Sequence, residues 1–463
     1  METVPVKSPR ERKIHHASLT GMGYFLDGYN LTVIAVFTLI LETYRIFPYT
    51  SLQIGFASGS ALLGAGIGAI VLGRYSDRIG RKRLYVLYLG LFIIFPVVSS
   101  LSVNVNMIII ARFFLGVGIG ADYAIGPVYS VEMFPDKTRG SGYGFVWAFW
   151  SLGASFAFIA GFISLRYTGV EAWRIALGII AVPALILMIM RLNVPESVRW
   201  IDAEKIRTEE SLKLHPDSDS VSGKQHAERT HTAGFLDLFR GNMGKRTAIV
   251  WIQWILLDIG SYGFGLYGPL IISDIGFSGT DSFLITALLY IVGFACAVIS
   301  ITWNDRFGRK IIQAIGFCFM ALGMAFLALS QYVGGLLFLI LGFSGLALWY
   351  GMENIGPGNT MGLYAIELFP TRLRSTSMGS ATAVTRFVSF LSAFEFPFIA
   401  LMFGVTGFFL ILLGVMVSAS IFTILFTPET KGMTLDEISG SVYSHGKLVP
   451  QPGDGGTPGE TRR

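Results

Sequence analysis

Charge is the scarcest commodity in this chain. Only 14% of its 463 residues are Asp, Glu, Lys or Arg, against about 25% in a soluble domain. With 52% hydrophobic residues and a mean hydropathy of +0.60, there is too little polar surface to cover the several soluble domains this length suggests. Cysteine is nearly absent. Cys296 and Cys318 both lie in apolar stretches, which excludes a disulfide scaffold and reads as two small buried hydrophobes. Histidine is missing from every apolar stretch. His15, His16, His215, His226, His231 and His445 fall in polar loops or tails. No paired metal ligands and no Ser-His-Asp set can therefore form within a membrane, so an integral-membrane enzyme is set aside and no cofactor or metal is expected. Glycine-rich runs such as 116–120 lie in mid-helix rather than at a strand–helix turn, which excludes a nucleotide loop. What is abundant is glycine (55) and phenylalanine (37), a composition that fits a polytopic membrane protein whose small residues let helices approach closely.

A bilayer-crossing helix needs about 20 mostly apolar residues. Twelve stretches qualify: 18–41, 52–73, 84–101, 106–131, 140–165, 173–191, 246–273, 281–303, 310–330, 335–366, 376–402 and 405–427. The expected fold is therefore all-α and membrane-embedded. Residues 1–17 carry Lys7, Arg10, Arg12 and Lys13 without an apolar core, so they do not read as a cleaved signal peptide. The loops after spans 2, 4, 8 and 10 are basic, with Arg74, Arg78, Arg81, Lys82, Arg83, Lys137, Arg139, Arg306, Arg309, Lys310, Arg372 and Arg374. The opposite loops 102–106 and 331–334 carry no charge. Basic loops face the cytoplasm, which places both termini inside a plasma membrane. The net charge of +5 thus reports topology rather than nucleic-acid binding. The expected organisation is a cytoplasmic N-terminus (1–17), a six-helix bundle (18–191), a cytoplasmic linker (192–245), a second bundle (246–427) and a cytoplasmic tail (428–463). From about Ser441 that tail is rich in Gly and Pro and reads as disordered.

The two halves repeat each other. Asp77-Arg78-Ile79-Gly80-Arg81-Lys82 recurs as Asp305-Arg306-Phe307-Gly308-Arg309-Lys310. Tyr129, Glu132, Phe134-Pro135, Arg139 and Gly144 recur 235 residues later as Tyr364, Glu367, Phe369-Pro370, Arg374 and Gly379, and Pro195-Glu196 recurs as Pro428-Glu429. Duplicated six-helix halves around a central site are a transporter architecture.

These motifs resemble those of the major facilitator superfamily. Gly73, Asp77, Arg78, Gly80, Arg81 and Lys82 are similar to its loop motif. Arg112, Gly116, Gly118, Gly120, Pro127, Tyr129, Glu132, Pro135 and Arg139 are similar to the fourth-span signature of its sugar-porter-like families. The resemblance covers nearly the whole chain and implies two pseudo-symmetric bundles working by alternating access, commonly as a monomer. It implies that Asp77, Arg78, Gly80, Arg81, Glu132 and Arg139, with Asp305, Arg306, Arg309, Glu367 and Arg374, latch the halves together on the inside.

Ionisable side chains at membrane depth cost at least ~2.5 kcal/mol each on insertion scales and mark sites by default. Seven lie there: Asp27, Arg112, Asp122, Asp258, Glu353, Arg386 and Glu395. Fully ionised they would sum to −3, so some acids are expected to hold protons, as a proton-coupled symporter requires. Span 7 spaces Trp254, Asp258 and Tyr262 by four, which puts an aromatic, a carboxylate and a phenol on one helix face. That trio, the run 21–31 around Asp27, the run 118–123 ending in Asp122-Tyr123, and Asn354-Ile355-Gly356-Pro357-Gly358-Asn359 resemble the phosphate:proton symporter branch. The Gly-Pro-Gly predicts a locally broken helix whose freed backbone lines a cavity. Arg386 stands where that branch has lysine, Asn30 replaces its second span-1 acid, and Ala121 precedes Asp122 where it has a second span-4 acid. A guanidinium fork binds carboxylate or phosphate bidentately.

The expected function is proton-coupled symport of a small anion, phosphate or a carboxylated metabolite. Arg386, Trp254, Asp258, Tyr262, Tyr123, Asn354 and Asn359 are expected to bind it. Asp27, Asp122, Asp258, Glu353 and Arg112 are expected to couple it to protons. A sugar or polyol porter is the second reading. It is weakened because span 7 lacks the sugar porters' Gln-Gln and Gly-x-Asn runs, although Arg112 is present. A transporter-like nutrient sensor would need a longer folded extension than 202–234 or the tail supplies.

Overall fold

The computed structural model describes residues 9–194, 196, 201–202, 205, 235–265, 268–269, 272, 277, 279–444 and 447–450. Its helices follow the apolar runs. They are α1 (Pro9–Thr32), α2 (Ile34–Tyr44), α3 (Ser51–Ile79), α4 (Arg81–Leu87), α5 (Leu89–Ser100), α6 (Val105–Met133), α7 (Arg139–Thr168), α8 (Ala172–Gly178) and α9 (Ala181–Arg191) before the linker. After it come α10 (Asn242–Gly265), α11 (Gly279–Phe307), α12 (Arg309–Ser330), α13 (Gly335–Ile355), α14 (Pro357–Glu367), α15 (Arg374–Phe426) and α16 (Leu435–Gly440).

Among the described residues, nine helical stretches are long and apolar enough to cross a bilayer. Ten of the twelve expected spans, all but 7 and 11, fall within these stretches to within one residue at their ends. Spans 5 and 6 form one helical stretch, Arg139–Arg191. Spans 11 and 12 form the single helix α15, broken only at Gly404 (φ 70°). Span 7 appears as α10, beyond which the description is interrupted.

Local chemistry sets the ends and breaks. Thr50 and Gln53 form a reciprocal capping box that starts α3, and the Asn104 side chain accepts the Met107 N–H at the start of α6, each satisfying an otherwise orphan donor. The expected break occurs at Gly356, between α13 and α14. The Ile355 carbonyl that it frees accepts a hydrogen bond from Ser300 Oγ at 2.8 Å.

The fourth-span glycines are packing devices. A Cβ at Gly116 would lie 2.1 Å from the Ala61 carbonyl oxygen, and one at Gly120 would lie 2.0 Å from that of Ala65, so α3 and α6 cross backbone to backbone. The halves meet along two seams, α7 against α11 and α3 against α15.

Three expectations are corrected here. Helix α1 begins at Pro9, so His15 and His16 are helical rather than part of a loose tail, and the His16 ring packs edge-on to Tyr129 at 6.3 Å. Cys318 is exposed and Cys296 half-buried. On a membrane helix an apolar run has a lipid-facing side, so apolar sequence does not imply an interior position. The tail from Ser441 pairs as an antiparallel hairpin, β1 (Ser441–Ser444) with β2 (Lys447–Pro450). Val442, Tyr443, Leu448 and Val449 supply the β-forming residues that a Gly/Pro count overlooks. The remainder of the tail and most of the 202–234 insert lie outside the described residues.

Candidate functional site

Both halves contribute to a central cavity of about 680 Å³, counted to its open rim. Arg386 projects from α15, and Trp254, Asp258 and Tyr262 from one face of α10, as their four-residue spacing requires. Arg386 Nη1 lies 3.5 Å from Asp258 Oδ2. Its guanidinium sits 4.8 Å from the ring centroids of both Tyr123 and Tyr262, a cation held between two aromatic faces. Ser389 Oγ donates to Asp258 Oδ2 at 2.8 Å, and Ser261 Oγ donates to Glu353 Oε1 at 2.7 Å. Arg386 Nε and Nη1 make no hydrogen bond. A buried fork with idle donors is set to receive an acceptor.

The sequence did not single out most of the remaining wall. Eight of the 17 lining residues are Trp or Tyr, so the wall is chiefly aromatic. Trp147 and Trp150 lie parallel, 6.0 Å apart, and Tyr290 meets Tyr350 edge-to-face at 4.8 Å. No single one of these rings stood out, because aromatics pervade every span.

The two predicted asparagines are not on the cavity wall. Asn354 Oδ1 accepts from Trp147 Nε1 at 3.1 Å and Ser151 Oγ at 2.7 Å, and its Nδ2 donates to the Tyr350 carbonyl at 2.8 Å. Asn359 Nδ2 donates to Ser300 Oγ at 2.6 Å. Around the Gly356 break both residues tie α13 and α14 to α7 and α11. The side chain of Glu395 lies outside the described residues.

A second charged cluster lies within the first half. Asp27 and Asp122 are fully buried and face each other. Tyr88 donates to Asp122 Oδ1. Arg191, also fully buried, lies 3.7 Å from the same oxygen. Sequence reasoning missed Arg191; its only signal was a cation as the last residue of an apolar span. Including it changes the formal interior charge from −3 to −2. Arg112 joins neither cluster. Its Nη2 donates to the Asn30 carbonyl at 2.9 Å, while Nε and Nη1 have no hydrogen-bond partner.

At the basic-loop end, ion pairs join the two halves. Glu132 is 2.5 Å from Arg81 Nη1 and 3.3 Å from Arg374 Nη1. Glu367 is 2.5 Å from Arg139 Nε and 3.3 Å from Arg309 Nη2. Arg309 Nη2 also lies 3.0 Å from Asp305 Oδ1. Asp305 Oδ2 accepts from the backbone N–H and hydroxyl of Ser141 at 2.8 and 2.6 Å. Arg81 Nη2 reaches the Thr371 carbonyl across the halves at 3.2 Å. The glycine turns of the two loop motifs have matching dihedrals, φ 99° at Gly80 and φ 98° at Gly308. After each, a carboxylate caps the next helix: Glu196 accepts from Arg81 and Lys82 N–H, and Glu429 from Arg309 and Lys310 N–H. The repeated Pro-Glu pairs are therefore caps on the loop motifs. Arg306 differs from its expected role, with its guanidinium over the Phe307 ring at 5.3 Å. The Asp77 and Arg78 side chains lie outside the described residues.

A family profile described as "Sugar (and other) transporter" matches residues 17–441. Among curated relatives, the chain is 26% identical to the Escherichia coli "Putative metabolite transport protein YaaU" over 90% of its own length and 92% of that protein. It is 28% identical to the Bacillus subtilis "Arabinose-proton symporter", covering 90% and 92%. It is also 28% identical to the Arabidopsis thaliana "Probable inorganic phosphate transporter 1-6", covering 91% and 92%. Among solved structures, the major facilitator proton:xylose symporter XylE bound to 6-bromo-6-deoxy-D-glucose superposes with a TM-score of 0.79 at 23% identity, covering 93% of this chain and 99% of that one.

Proposed function

We propose, from the premise that the chain belongs to the sugar (and other) transporter family, that it is a proton-coupled symporter of a small organic anion. The carrying observation is Arg386, a buried cation with idle donors on an aromatic wall, opposed by Asp258. The family has the major facilitator fold and transports solutes rather than catalysing reactions on them. Inorganic phosphate has no apolar body to set against these rings. A carboxylate carried on an apolar body, best a flat aromatic one, suits one guanidinium among eight rings. In this reading both termini are cytoplasmic in a plasma membrane, the protein works as a monomer, and the ion-paired end is the closed cytoplasmic gate.

The anion competes with Asp258 for Arg386. A proton on Asp258 frees the fork, and the proton and anion then cross together. Asp258→Asn is expected to keep solute exchange but to lose accumulation driven by a proton gradient, since an amide cannot exchange that proton. Accumulation by this variant comparable to the parent protein would sink the assignment. Asp27, Asp122, Glu353 and Arg112 are retained as proton-coupling candidates.

A sugar is the second reading, favoured by the fourth-span signature, by the arabinose-proton relative and by rings on which a sugar could stack. Uptake into proteoliposomes under an imposed inward proton gradient separates the two. The panel is radiolabelled benzoate, an aliphatic mono- and dicarboxylate, phosphate, and several hexoses and pentoses. Gradient-stimulated uptake of a carboxylate supports the anion reading, while uptake of a sugar alone overturns it.

A further inference from the structure

We propose that Arg112 holds a monovalent anion of halide size, buried where α6 meets the end of α1. The site is separate from the central cavity, and it does not depend on which solute is carried. It moves Arg112 from proton coupling to anion binding.

The case starts from a charge without a partner. Arg112 is 1% exposed, and a guanidinium keeps its proton in a protein. Its one hydrogen bond runs from Nη2 to the backbone carbonyl of Asn30 at 2.9 Å, while Nε and Nη1 donate to nothing. Among the described residues no charged group acts on it. The contrast with other buried arginines is sharp. Arg81, Arg139, Arg191, Arg309, Arg374 and Arg386 each lie within 4 Å of a carboxylate. Buried charges are paired as a rule, and an arginine at membrane depth marks a site by default.

The chain supplies no carboxylate that could turn to it. Asp27 lies one turn earlier on α1, and the charges acting on it are Asp122, Arg191 and Arg386. Asn30 is the residue placed to answer Arg112, but its side chain is neutral and engaged elsewhere. Its Nδ2 donates to the Leu26 carbonyl at 2.9 Å, so only the backbone carbonyl is left for the guanidinium. One turn along α6, a Cβ at Gly116 would lie 2.1 Å from the Ala61 carbonyl oxygen. Beside Ala61 on α3, Ser60 Oγ is also buried without a partner. One guanidinium balances one negative charge, so the ion is monovalent. Helices that cross this closely favour an ion of atomic size over an organic acid.

Thermal unfolding of the purified full-length protein in detergent tests this without any transported solute. Sodium chloride and sodium bromide are compared with sodium gluconate at fixed ionic strength. The melting temperature is expected to be about 2 °C or more higher in either halide, with a shift that saturates. Arg112→Gln is expected to remove the shift. Asn30→Asp is expected to remove it too, because a carboxylate cannot donate to the Leu26 carbonyl and turns to Arg112 as a built-in anion. The double variant Arg386→Ala with Asp258→Asn is expected to keep the shift, since the cavity cation is not its source. No halide shift in the parent protein overturns the proposal. A shift that survives Asn30→Asp, or one lost in the cavity double variant, also overturns it. If the Arg112 variant does not fold, anomalous scattering from crystals grown in bromide decides, with a peak beside the Arg112 guanidinium expected and its absence contradicting the assignment. Carboxylate uptake through Arg386 is untouched by a failure here, so the two readings fail separately.

Discussion

Replacing Arg386 with alanine is expected to lower carboxylate uptake by at least about 30-fold. Arg386 is the sole cation among the described residues that line the cavity. An anion entering a ring-lined cavity loses its hydration, and without a fixed cation nothing replaces it. Truncating one partner of a buried, hydrogen-bonded charge pair costs about 2–5 kcal/mol, and each 1.4 kcal/mol is tenfold. The variant also strips Asp258 of its counter-ion at 3.5 Å, so a folding defect must be separated from a binding defect. The double variant Arg386→Ala with Asp258→Asn does this. It removes both charges, and it is expected to fold and remain inactive toward the anion. Arg386→Lys keeps the charge but not the bidentate fork, and its uptake should fall between the two. Initial rates with radiolabelled benzoate and an aliphatic carboxylate, per folded transporter, provide the measurement. A single variant within threefold of the parent protein would exclude Arg386 as the anion anchor.

How much of this was legible in the sequence depends on the kind of signal. Spans follow from long apolar runs, so the all-α fold was readable. The twofold repeat was readable because Glu132, Arg139, Glu367 and Arg374 recur at one offset. Trp254, Asp258 and Tyr262 were readable as one face because helical periodicity is local. The remaining wall was not. Trp147, Trp150, Tyr290 and Trp349 come from three other helices, and no local pattern marks one aromatic in an apolar span as cavity-facing rather than lipid-facing. Asn354 and Asn359 were misplaced for a related reason. The break at Gly356 was foreseen, but its effect on where each flanking side chain points depends on the neighbours α7 and α11. Arg191 escaped because a cation at the end of a span usually snorkels to the interface, whereas here two tyrosines and the Leu19 carbonyl hold it inside.

The double variant Arg139→Gln, Arg374→Gln is expected to open the basic-loop end of the transporter. The duplication makes the reason specific. Each half supplies one glutamate, and each glutamate has an arginine from its own half: Arg81 with Glu132, Arg309 with Glu367. The second arginine comes from the other half, so that Arg374 reaches Glu132 and Arg139 reaches Glu367. Of these four ion pairs, parting the halves breaks only the two crossed ones. Their loss should therefore leave each folded half nearly intact while destabilising the closed arrangement, because each glutamate keeps a counter-ion. Removing Glu367 instead would strip the buried Arg139 of this carboxylate and leave Arg309 only its pair with Asp305, a cost of up to about 3–5 kcal/mol that falls on folding as well. Even about 1.4 kcal/mol per crossed pair shifts the equilibrium tenfold, and two equivalent latches multiply the effect to about 100-fold. Electron–electron distance measurements between spin labels on the two halves at this end read it directly. Each single variant should populate a longer separation, and the double variant should make it dominant. A distance distribution unchanged in the double variant would mean that the Ser141–Asp305 and Arg81–Thr371 contacts, rather than the crossed ion pairs, hold the gate.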